Sequence, residues 1–200
     1  EIGAGGGSIA RVKMGLITVG PESAGAEPGP ICYRKGGDEP TVTDADLILG
    51  YLNPAYFLGG KMRLDLEAAR EGIRIKIAEP LRMDVVTAAW GIHEMVNSSM
   101  TGAIRMVSVE RGKDPRDFAF IAFGGAGPVH GCSLAKALGI PKVILPASAG
   151  VTSALGMLVA DIRFDFSRTH LALLDEDLVQ RANSIFDEME SQGLDMLRQS

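Results

Sequence analysis

A cluster of glycines near the start of the chain constrains its fold more than any other feature. Residues 1–8 are Glu-Ile-Gly-Ala-Gly-Gly-Gly-Ser, and two alternating segments, 9–13 and 16–20, then flank a Met-Gly pair. Alternation around a glycine-containing turn predicts a β-hairpin. Glycine adds no side-chain contact and loses much entropy on ordering. We therefore expect the cluster to offer backbone N–H groups, with the Ser8 hydroxyl, to a ligand such as phosphate. A flexible glycine-rich turn is the alternative.

Composition and charge narrow the class of partner. The chain has 200 residues, which suits one large or two small domains, and a formal net charge of −5 without a basic run. Because the charge is negative and unclustered, we expect neither a nucleic-acid partner nor a membrane partner. No apolar run approaches the roughly 18 residues that span a bilayer. Cys32 and Cys132 belong to no Cys-x-x-Cys or Cys/His cluster, which favours a cytoplasmic, reducing setting and predicts no zinc site.

The segment after the hairpin is predicted to be a loop followed by three helices. Residues 21–40 are rich in Gly and Pro and lack periodicity. Thr43 is the predicted N-cap of a short helix over 45–52, where Asp44 and Asp46 suit the positive end of the helix dipole. A second helix is predicted to run from Asp65 to Pro80. The third and longest begins after Asp84 and continues to about Arg111, before a stop at Gly112.

The long helix carries an apolar stripe, which predicts a buried face, and a polar stripe. The polar stripe consists of His93, Asn97, Thr101 and Arg105, spaced four residues apart. Such a stripe is typical of a solvated face, and an edge that faces a ligand is the alternative.

The second half predicts an α/β order. Residues 118–123 are an unbroken apolar run, typical of a strand buried on both faces, and they end in a Gly-Gly-Ala-Gly-Pro loop that opens a helix to Leu138. Further predictions are a strand at 142–145, a glycine segment at 149–156 that leads into a helix, a strand within 162–174 and a surface helix from Asp175. Ligands of such sheets bind beyond the carboxyl ends of strands.

The glycine loops match neither of the common single-loop nucleotide motifs. The Gly124–Gly127 loop lacks both Gly-x-Gly-x-x-Gly and Gly-x-x-x-x-Gly-Lys-Ser/Thr. The remaining alternative is a clamp of two loops, in which one hairpin holds the terminal phosphates and the second loop holds the nucleoside end. That arrangement is typical of the actin, sugar-kinase and heat-shock ATPase superfamily.

Six segments in order carry a more specific resemblance: GAGGGSIA, GPESAGAEPGPICY, TVTDADLILGYLNP, SVERGKDPRDFA, FGGAGPVHG and AGVTSALGMLVAD. The chain resembles the hydantoinase A/5-oxoprolinase family, which includes ATP-binding subunits of acetone and acetophenone carboxylases, from Gly3 to about Thr169. The resemblance implies an α/β actin-like ATPase core of the ribonuclease H-like type. It further implies that residues 1–170 form the second half of that core and that residues 171–200 begin a following helical segment. The chain is also expected to be a fragment of a larger one, because the family's Asp-x-Gly-Gly-Thr-x-x-Asp loop should lie upstream.

The resemblance also implies a reaction. We expect an ATP-dependent hydrolase of cyclic amides or imides that opens a hydantoin or N-methylhydantoin ring, uses ATP with Mg²⁺ or another divalent cation, and works with a hydantoinase B-type partner subunit or domain. A 5-oxoprolinase, a ketone carboxylase subunit and a non-catalytic nucleotide-binding scaffold are the alternatives. The isolated chain is expected to bind ATP weakly and to turn nothing over.

The family motifs assign roles to individual residues. The glycine cluster with Ser8 is implied to hold the β- and γ-phosphates, and the second loop to face the nucleoside and the α-phosphate; the residues are Gly5, Gly6, Gly7, Ser8, Gly124, Gly125, Ala126 and Gly127. Arg105 and Ser108 are implied to edge the nucleotide pocket.

Catalytic and metal-binding roles fall on three other residues. Asp44 and Asp46 are candidate metal ligands, with helix capping as the alternative that we favour for Asp46, and Asp44 and His130 are candidate catalytic residues. A structural histidine is the alternative for His130. Cys32 is either a nucleophile or a buried thiol, and Cys132 is predicted to lie in the core.

Overall fold

The computed structural model describes residues 1–199, and these divide into two compact units, 1–153 and 154 onward. The helices and strands are β1 Ser8–Lys13, β2 Leu16–Ser23, α1 Val42–Ile48, α2 Leu66–Ile73, α3 Glu79–Leu81, α4 Val85–Val107, β3 Ala119–Ile121, α5 Gly127–Leu138, β4 Lys142–Ile144, α6 Thr152–Val159 and α7 Leu178–Gln199. The architecture is mixed α/β, as predicted.

Strands β1 and β2 form the antiparallel hairpin that the alternating pattern predicts. Lys13 pairs with Leu16 across the turn. Met14 and Gly15 take the left-handed φ values of 53° and 76° that a two-residue hairpin turn of type I′ requires. The prediction of a hairpin after the glycine cluster is confirmed.

Helix α1 begins three residues earlier than predicted and is buried along its whole length. Its N-cap is Thr41, whose hydroxyl accepts from the N–H of Asp44 while the Asp44 carboxylate accepts from the N–H of Thr41, a complete capping box. The prediction of Thr43 as the N-cap is therefore wrong. Thr43 lies inside the helix, where its hydroxyl bonds to another segment.

Helix α2 begins after Asp65, as predicted, and the Asp65 carboxylate accepts a hydrogen bond of 2.8 Å from the N–H of Ala68. A π-helical turn at Arg74–Ala78 connects it to α3, so that the helical path continues past Pro80 to Leu81. Helices α1, α2 and α4 pack around one apolar core that contains Val42, Ile73 and Ile92.

Helix α4 begins after the predicted N-cap Asp84 and ends at Val107, four residues before the predicted end. The chain then makes a 3₁₀ turn and stops at Gly112, whose φ is 70°. The prediction of a solvated polar stripe is wrong for His93, Asn97 and Thr101, which are all buried. His93 contacts Asp46 on α1, and Asn97 contacts His130 on α5.

Strands β3 and β4 form a parallel pair, with Ala119 opposite Lys142, and α5 covers one face of it. Gly131 allows this contact, because a Cβ there would lie 2.9 Å from the Cβ of Ala122. The prediction of a strand buried on both faces is wrong for this chain, since Phe118 and Ile121 are each 53% exposed. A two-stranded sheet covered by a single helix leaves its other face open.

The second unit contains most of α6 and the long helix α7, which confirms the predicted terminal helix. The strand predicted within 162–174 is wrong: residues 160–175 take no regular secondary structure. The segment instead lies along α7, where Phe166 contacts Gly193 and the Arg168 guanidinium bonds the Glu188 carboxylate at 2.6 Å. Among residues 1–199, no helix is long and apolar enough to cross a membrane.

Candidate functional site

The glycine loop before β1 is closed by its own hydrogen bonds. The N–H of Ser8 donates to the carbonyl of Gly5 at 3.0 Å, and the Ser8 hydroxyl accepts from the N–H of Gly5 at 3.0 Å. The same hydroxyl donates to the Gly3 carbonyl at 3.4 Å, and Ser8 is buried. The Ser8 side chain therefore stabilises the loop by bonding to its backbone. The sequence had predicted instead that this hydroxyl faces a ligand.

Two glycines of this loop are required by contacts inside the protein. The carbonyl of Gly6 accepts from both the N–H and the hydroxyl of Thr43 at 2.8 Å, and a Cβ on Gly6 would lie 2.8 Å from that hydroxyl oxygen. The carbonyl of Gly7 accepts from the N–H of Ala24 at 2.9 Å, and a Cβ there would lie 2.7 Å from the Ser23 hydroxyl. In a trans peptide the inward carbonyl of Gly6 turns the N–H of Gly7 the opposite way. Within residues 1–199 the N–H groups of Gly6 and Gly7 donate to no backbone acceptor, so they remain for an external acceptor.

The second glycine loop leads directly into the first turn of α5. Gly124 has a φ of 87°, and its N–H donates to the carbonyl of Ala149 at 2.7 Å, which ties the second loop to the third glycine segment. Ala126 is the N-cap and supplies no side-chain cap. The first N–H groups of a helix have no partner within the helix, so this terminus is a ready site for an anion.

The two glycine loops meet. A Cβ placed on Gly6 would lie 3.6 Å from the Cβ of Ala126. The first loop is fixed to α1 through Thr43, and the second begins α5, so packing of these helices brings the two loops together. Residues 5–8 and 124–127, predicted as parts of one site, are neighbours in space.

Arg105 and Ser108 lie away from this junction. Arg105 is exposed and lines a surface cavity of about 440 Å³ with Leu138, at the carboxyl end of α5, whereas the glycine loop opens its amino end. A helix of 12 residues is about 18 Å long. The Ser108 hydroxyl donates to the carbonyl of Ile104 at 2.6 Å. The structure thus does not bring these two residues to the glycine loops.

Asp44 organises the loop before α1. Its Oδ1 accepts from the N–H of Cys32 at 2.8 Å. Its Oδ2 accepts from the N–H of Ile31 and from the N–H and the hydroxyl of Thr41, at 3.2, 2.9 and 2.8 Å. The carboxylate thus accepts four hydrogen bonds from the protein, as many as the roughly four acceptor positions of a carboxylate. Asp44 is therefore the capping residue.

Asp46, two residues further along α1, takes part in a different cluster. Its Oδ1 accepts from Nδ1 of His93 on α4 at 2.7 Å, and its Oδ2 lies 3.7 Å from Nε2 of His130 on α5. Nδ1 of His130 donates to Oδ1 of Asn97 at 2.9 Å. The interpretation of Asp46 as a cap is wrong. We call these four buried side chains the Asp-His cluster.

Aromatic rings enclose one side of the Asp-His cluster. Tyr51, Trp90 and His130 each stack on His93, with centroid distances of 5.1, 5.6 and 4.9 Å. Burial lowers the pKa of His130 below its usual value, and His93 lowers it further, while the Asp46 carboxylate acts in the opposite direction. The low pKa favours a neutral His130 ring at physiological pH.

The Asp-His cluster lies one helical turn behind the glycine loops. Asp46 follows Thr43 by three residues on α1, and His130 lies in the first turn of α5. Sequence reasoning named Asp46 and His130 separately and placed His93 and Asn97 on a solvated face. The only sequence signal was the spacing of polar residues along α4 in steps of four.

The structure decides between the two alternatives for Cys32 and contradicts the prediction for Cys132. Cys32 is fully buried, and burial, followed by the nearby Asp44 carboxylate, raises the pKa of its thiol far above the usual range. It is therefore held as a neutral thiol, and the alternative of a nucleophile is wrong because the thiolate is the reactive form. Cys132, predicted to be in the core, is exposed on α5.

The fold and the site together define a mixed α/β protein in which two glycine loops meet above a buried cluster of histidine and aspartate. The sequence model of the hydantoinase/oxoprolinase family matches residues 1–166, and the chain belongs to this family. The resemblance found in the six sequence segments is thereby confirmed.

Similar proteins are known in sequence and in structure. The caprolactamase subunit alpha of Pseudomonas jessenii is 49% identical over 200 residues, which cover 98% of this chain and 29% of that subunit. The crystal structure of the ATP-dependent caprolactamase from that organism is similar with a TM-score of 0.73, at 45% identity, over 97% of this chain and 28% of that chain. A nucleotide-free structure of acetone carboxylase, which carries out ATP-dependent acetone carboxylation, is similar with a TM-score of 0.74, at 38% identity, over 79% of this chain and 22% of that chain. The chain thus spans less than a third of each of these relatives.

Proposed function

We propose that this chain forms part of the ATP site of an ATP-dependent cyclic amide hydrolase with an actin-like core. The observation that carries the proposal is the junction of the two glycine loops, where Gly6 and Ala126 approach closely. A single glycine loop is weak support for a nucleotide site. Two loops that meet at an uncapped helix terminus give converging N–H donors, which is the arrangement that phosphate groups require.

In the proposed site, the loop of residues 5–8 binds the β- and γ-phosphates, and residues 124–127 face the α-phosphate and the nucleoside. The donors are the N–H groups of Gly6 and Gly7 and those at the start of α5. Ser8 contributes by closing its loop rather than by contacting phosphate. Arg105 and Ser108 have no part in this proposal because they lie toward the far end of α5.

A divalent cation is the usual partner of ATP, but the two aspartates do not form a site for it. Mg²⁺ is bound by a few carboxylates together with phosphates and water. Both oxygens of Asp44 are occupied by protein donors, and Asp46 faces two histidines. Successive helical residues are about 100° apart, so the two side chains leave α1 on opposite sides. We therefore derive no step through a cation held by this pair.

The proposed chemistry is activation of an amide oxygen. The γ-phosphoryl group of ATP passes to that oxygen and ADP leaves. Water then attacks the activated carbon, and the C–N bond breaks with a proton passing to the nitrogen, so that the ring opens and an acyl phosphate remains. A second water hydrolyses the acyl phosphate to the carboxylate and phosphate. The chain contributes the positioning of the phosphates and the stabilisation of their charge. His130 and Asp44 are fully buried, so we assign them the support of the two loops and no contact with substrate.

Hydantoin and N-methylhydantoin are the first substrates to test, with 5-oxoproline and a lactam beside them. The similarity to acetone carboxylase favours a second candidate, the ATP-dependent carboxylation of a ketone. The intact protein that contains this chain, purified with a hydantoinase B-type subunit where one accompanies it, should hydrolyse ATP faster when its own substrate is added. Stimulation by a cyclic amide supports the first function, and stimulation only by ketone with bicarbonate supports the second. ATP binding with no stimulation by any of them supports the scaffold alternative.

The nucleotide site itself is tested by two variants that add one methyl group to the loops. A Cβ on Gly5 or on Gly125 would meet no atom within 4 Å, so Gly5→Ala and Gly125→Ala should fold normally while narrowing the phosphate space. We expect each to raise the Kd for a non-hydrolysable ATP analogue at least tenfold, about 1.4 kcal/mol, by isothermal titration calorimetry. Gly102→Ala, an equally open glycine on α4, is the matched control. Equal affinities for all three variants and the wild type would contradict the proposed site.

A further inference from the structure

We infer that Asp46, His93 and His130 form a binding site for one divalent transition-metal ion, for which Zn²⁺ is the best match. The three side chains come from α1, α4 and α5 and are all buried. One ligand atom from each lies within 4.8 Å of the other two. This site is separate from the proposed nucleotide site and does not depend on it.

The hydrogen bonds of the two histidines fix which nitrogen is free. Nδ1 of His93 lies 2.7 Å from Oδ1 of Asp46, and Nδ1 of His130 lies 2.9 Å from Oδ1 of Asn97. Carboxylate and amide oxygens only accept hydrogen bonds, so each Nδ1 carries the hydrogen. In a neutral ring the other nitrogen, Nε2, then presents a lone pair. Metal-binding histidines are oriented by an oxygen partner on the second nitrogen, and Asn97 is that partner for His130. His93 instead faces Asp46 with Nδ1, and it would bind the ion through this nitrogen in place of the proton.

Both Nε2 atoms are buried, and neither has a hydrogen-bond partner within residues 1–199. A buried polar atom left unpaired costs free energy, and Nε2 of His130 is such an atom and faces the Asp46 carboxylate. A metal ion accepts the lone pair of an imidazole nitrogen and so removes this cost. The orphaned lone pair of His130 beside the Asp46 carboxylate is the observation that points to a ligand. His93 faces the same carboxylate with Nδ1, which is the atom that it would offer to the ion.

The spacing between His130 and Asp46 suits a shared ion better than a direct bond. Nε2 and Oδ2 are 3.7 Å apart, beyond the 2.7–3.2 Å of a hydrogen bond. Since this nitrogen carries no hydrogen, the lone pair faces a negative oxygen. Two ligands on one Zn²⁺ ion with bonds of about 2.0–2.2 Å lie about 3.4 Å apart in a tetrahedral arrangement, so a small movement of either side chain would admit the ion.

Charge also favours a cation in the cluster. The Asp46 side chain is 3% exposed, and in the described part of the chain it pairs with no Lys or Arg. An ionised carboxylate taken out of water needs a compensating charge. A proton on one histidine is the competing way to supply it, and the experiments below separate the two.

The ligand set selects the kind of metal. Two imidazoles and one carboxylate suit Zn²⁺ and related first-row ions, whereas Mg²⁺ and Ca²⁺ prefer oxygen ligands throughout. Asp46 lies one turn along α1 from Thr43, which holds Gly6, and His130 lies one turn along α5 from Ala126. A metal ion here would join three helices directly behind the glycine loops.

Metal content of the purified protein tests the inference, measured by inductively coupled plasma mass spectrometry in the absence of nucleotide. We expect His93→Gln to contain one equivalent of transition metal per chain less than the wild type after equal exposure to Zn²⁺. His170→Gln, which changes an exposed histidine, is the matched control and should keep the wild-type content. Equal contents in all three proteins would overturn the inference, because other metal sites in the protein are unchanged by these variants.

A second measurement uses the wild type alone and does not depend on whether a variant folds. After chelation and dialysis, Co²⁺ is added and the visible absorption of nitrogen-coordinated Co²⁺ is recorded. We expect such bands to appear at one equivalent, to be displaced by Zn²⁺ and to be unaffected by Mg²⁺. Asp46→Asn, which keeps the size of the side chain, should weaken them at least tenfold in apparent affinity. The absence of these bands would show that a proton alone completes the cluster.

Discussion

Nδ1 of His93 lies 2.7 Å from Oδ1 of Asp46, although the two residues are 47 positions apart in the chain. Both side chains are buried, and the contact joins α1 to α4. It lies directly behind the point where the loops of Gly6 and Ala126 meet. A buried, charge-assisted hydrogen bond of this kind is costly to break from one side, because the remaining partner stays unpaired.

The first prediction concerns this pair. Asp46→Asn and His93→Gln should each lower the free energy of unfolding by about 2–4 kcal/mol, and the double variant should lose at least about 1 kcal/mol less than the sum, since both singles break the same bond. Urea unfolding of metal-free protein measures this. The exposed pair Glu71 and Arg74 on α2 is the control, with an expected coupling below about 0.5 kcal/mol. Strict additivity at Asp46 and His93 would mean that the contact contributes nothing.

The second prediction concerns the close approach of Gly6 to α1. Gly6→Ala should lower the free energy of unfolding by about 1–3 kcal/mol, because the new Cβ would lie 2.8 Å from the Thr43 hydroxyl. In a Thr43→Ala background the same change should cost less, since the oxygen is gone. Gly5→Ala, with open space around it, should change stability by less than about 0.5 kcal/mol. Thermal and urea unfolding provide the values, and an equal effect of Gly6→Ala in both backgrounds would argue against the clash.

The third prediction concerns Asp44. Asp44→Asn should lower the free energy of unfolding by more than about 3 kcal/mol, because an amide replaces one of two oxygens that together accept four hydrogen bonds from 31–32 and Thr41. The matched change Asp84→Asn removes charge from an exposed N-cap and should cost less than about 1 kcal/mol. Urea unfolding measures both losses of stability. Similar losses at the two positions would show that Asp44 contributes no more than an exposed helix cap does.

The fourth prediction concerns Cys32 at high pH. Burial and the Asp44 carboxylate raise the pKa of its thiol above the ordinary value of 9.0, so the unfolded chain loses this proton before the folded one does. The stabilisation is therefore complete below pH 9.0 and is lost as the pH rises, by up to about 1.4 kcal/mol per pH unit. Unfolding measured between pH 8 and 10.5 should show a smaller fall for Cys32→Ser than for the wild type. Cys132→Ser, an exposed thiol, serves as control; parallel pH curves for Cys32→Ser and the wild type would refute the prediction.

Local signals in the sequence were sufficient to predict where individual turns and helices begin or end. The Met14-Gly15 turn, the helix starts at Asp65 and Asp84 and the stop at Gly112 lie where the sequence predicts them. Each depends on a few neighbouring residues, for which backbone preference and one hydrogen bond decide the structure. The same holds for the family, because its motifs are contiguous segments.

Contacts between distant segments were not predictable in this way. The polar stripe of α4 has the pattern of a solvated face, yet His93 and Asn97 are buried because α1 and α5 pack against it. The different surroundings of Asp44 and Asp46 were predictable only in part. Helical geometry places the two side chains on opposite sides of α1, but only the packing decides which side meets the loop and which meets the histidines.

By itself, then, the sequence determined the glycine loops, the starts of α2 and α4 and the family to which the chain belongs. The tertiary structure alone decided that the loops at Gly6 and Ala126 meet and that Asp46, His93 and His130 share one buried cluster. The physical reason is that helix burial depends on which faces pack together, and the residues that decide it are far apart in the chain.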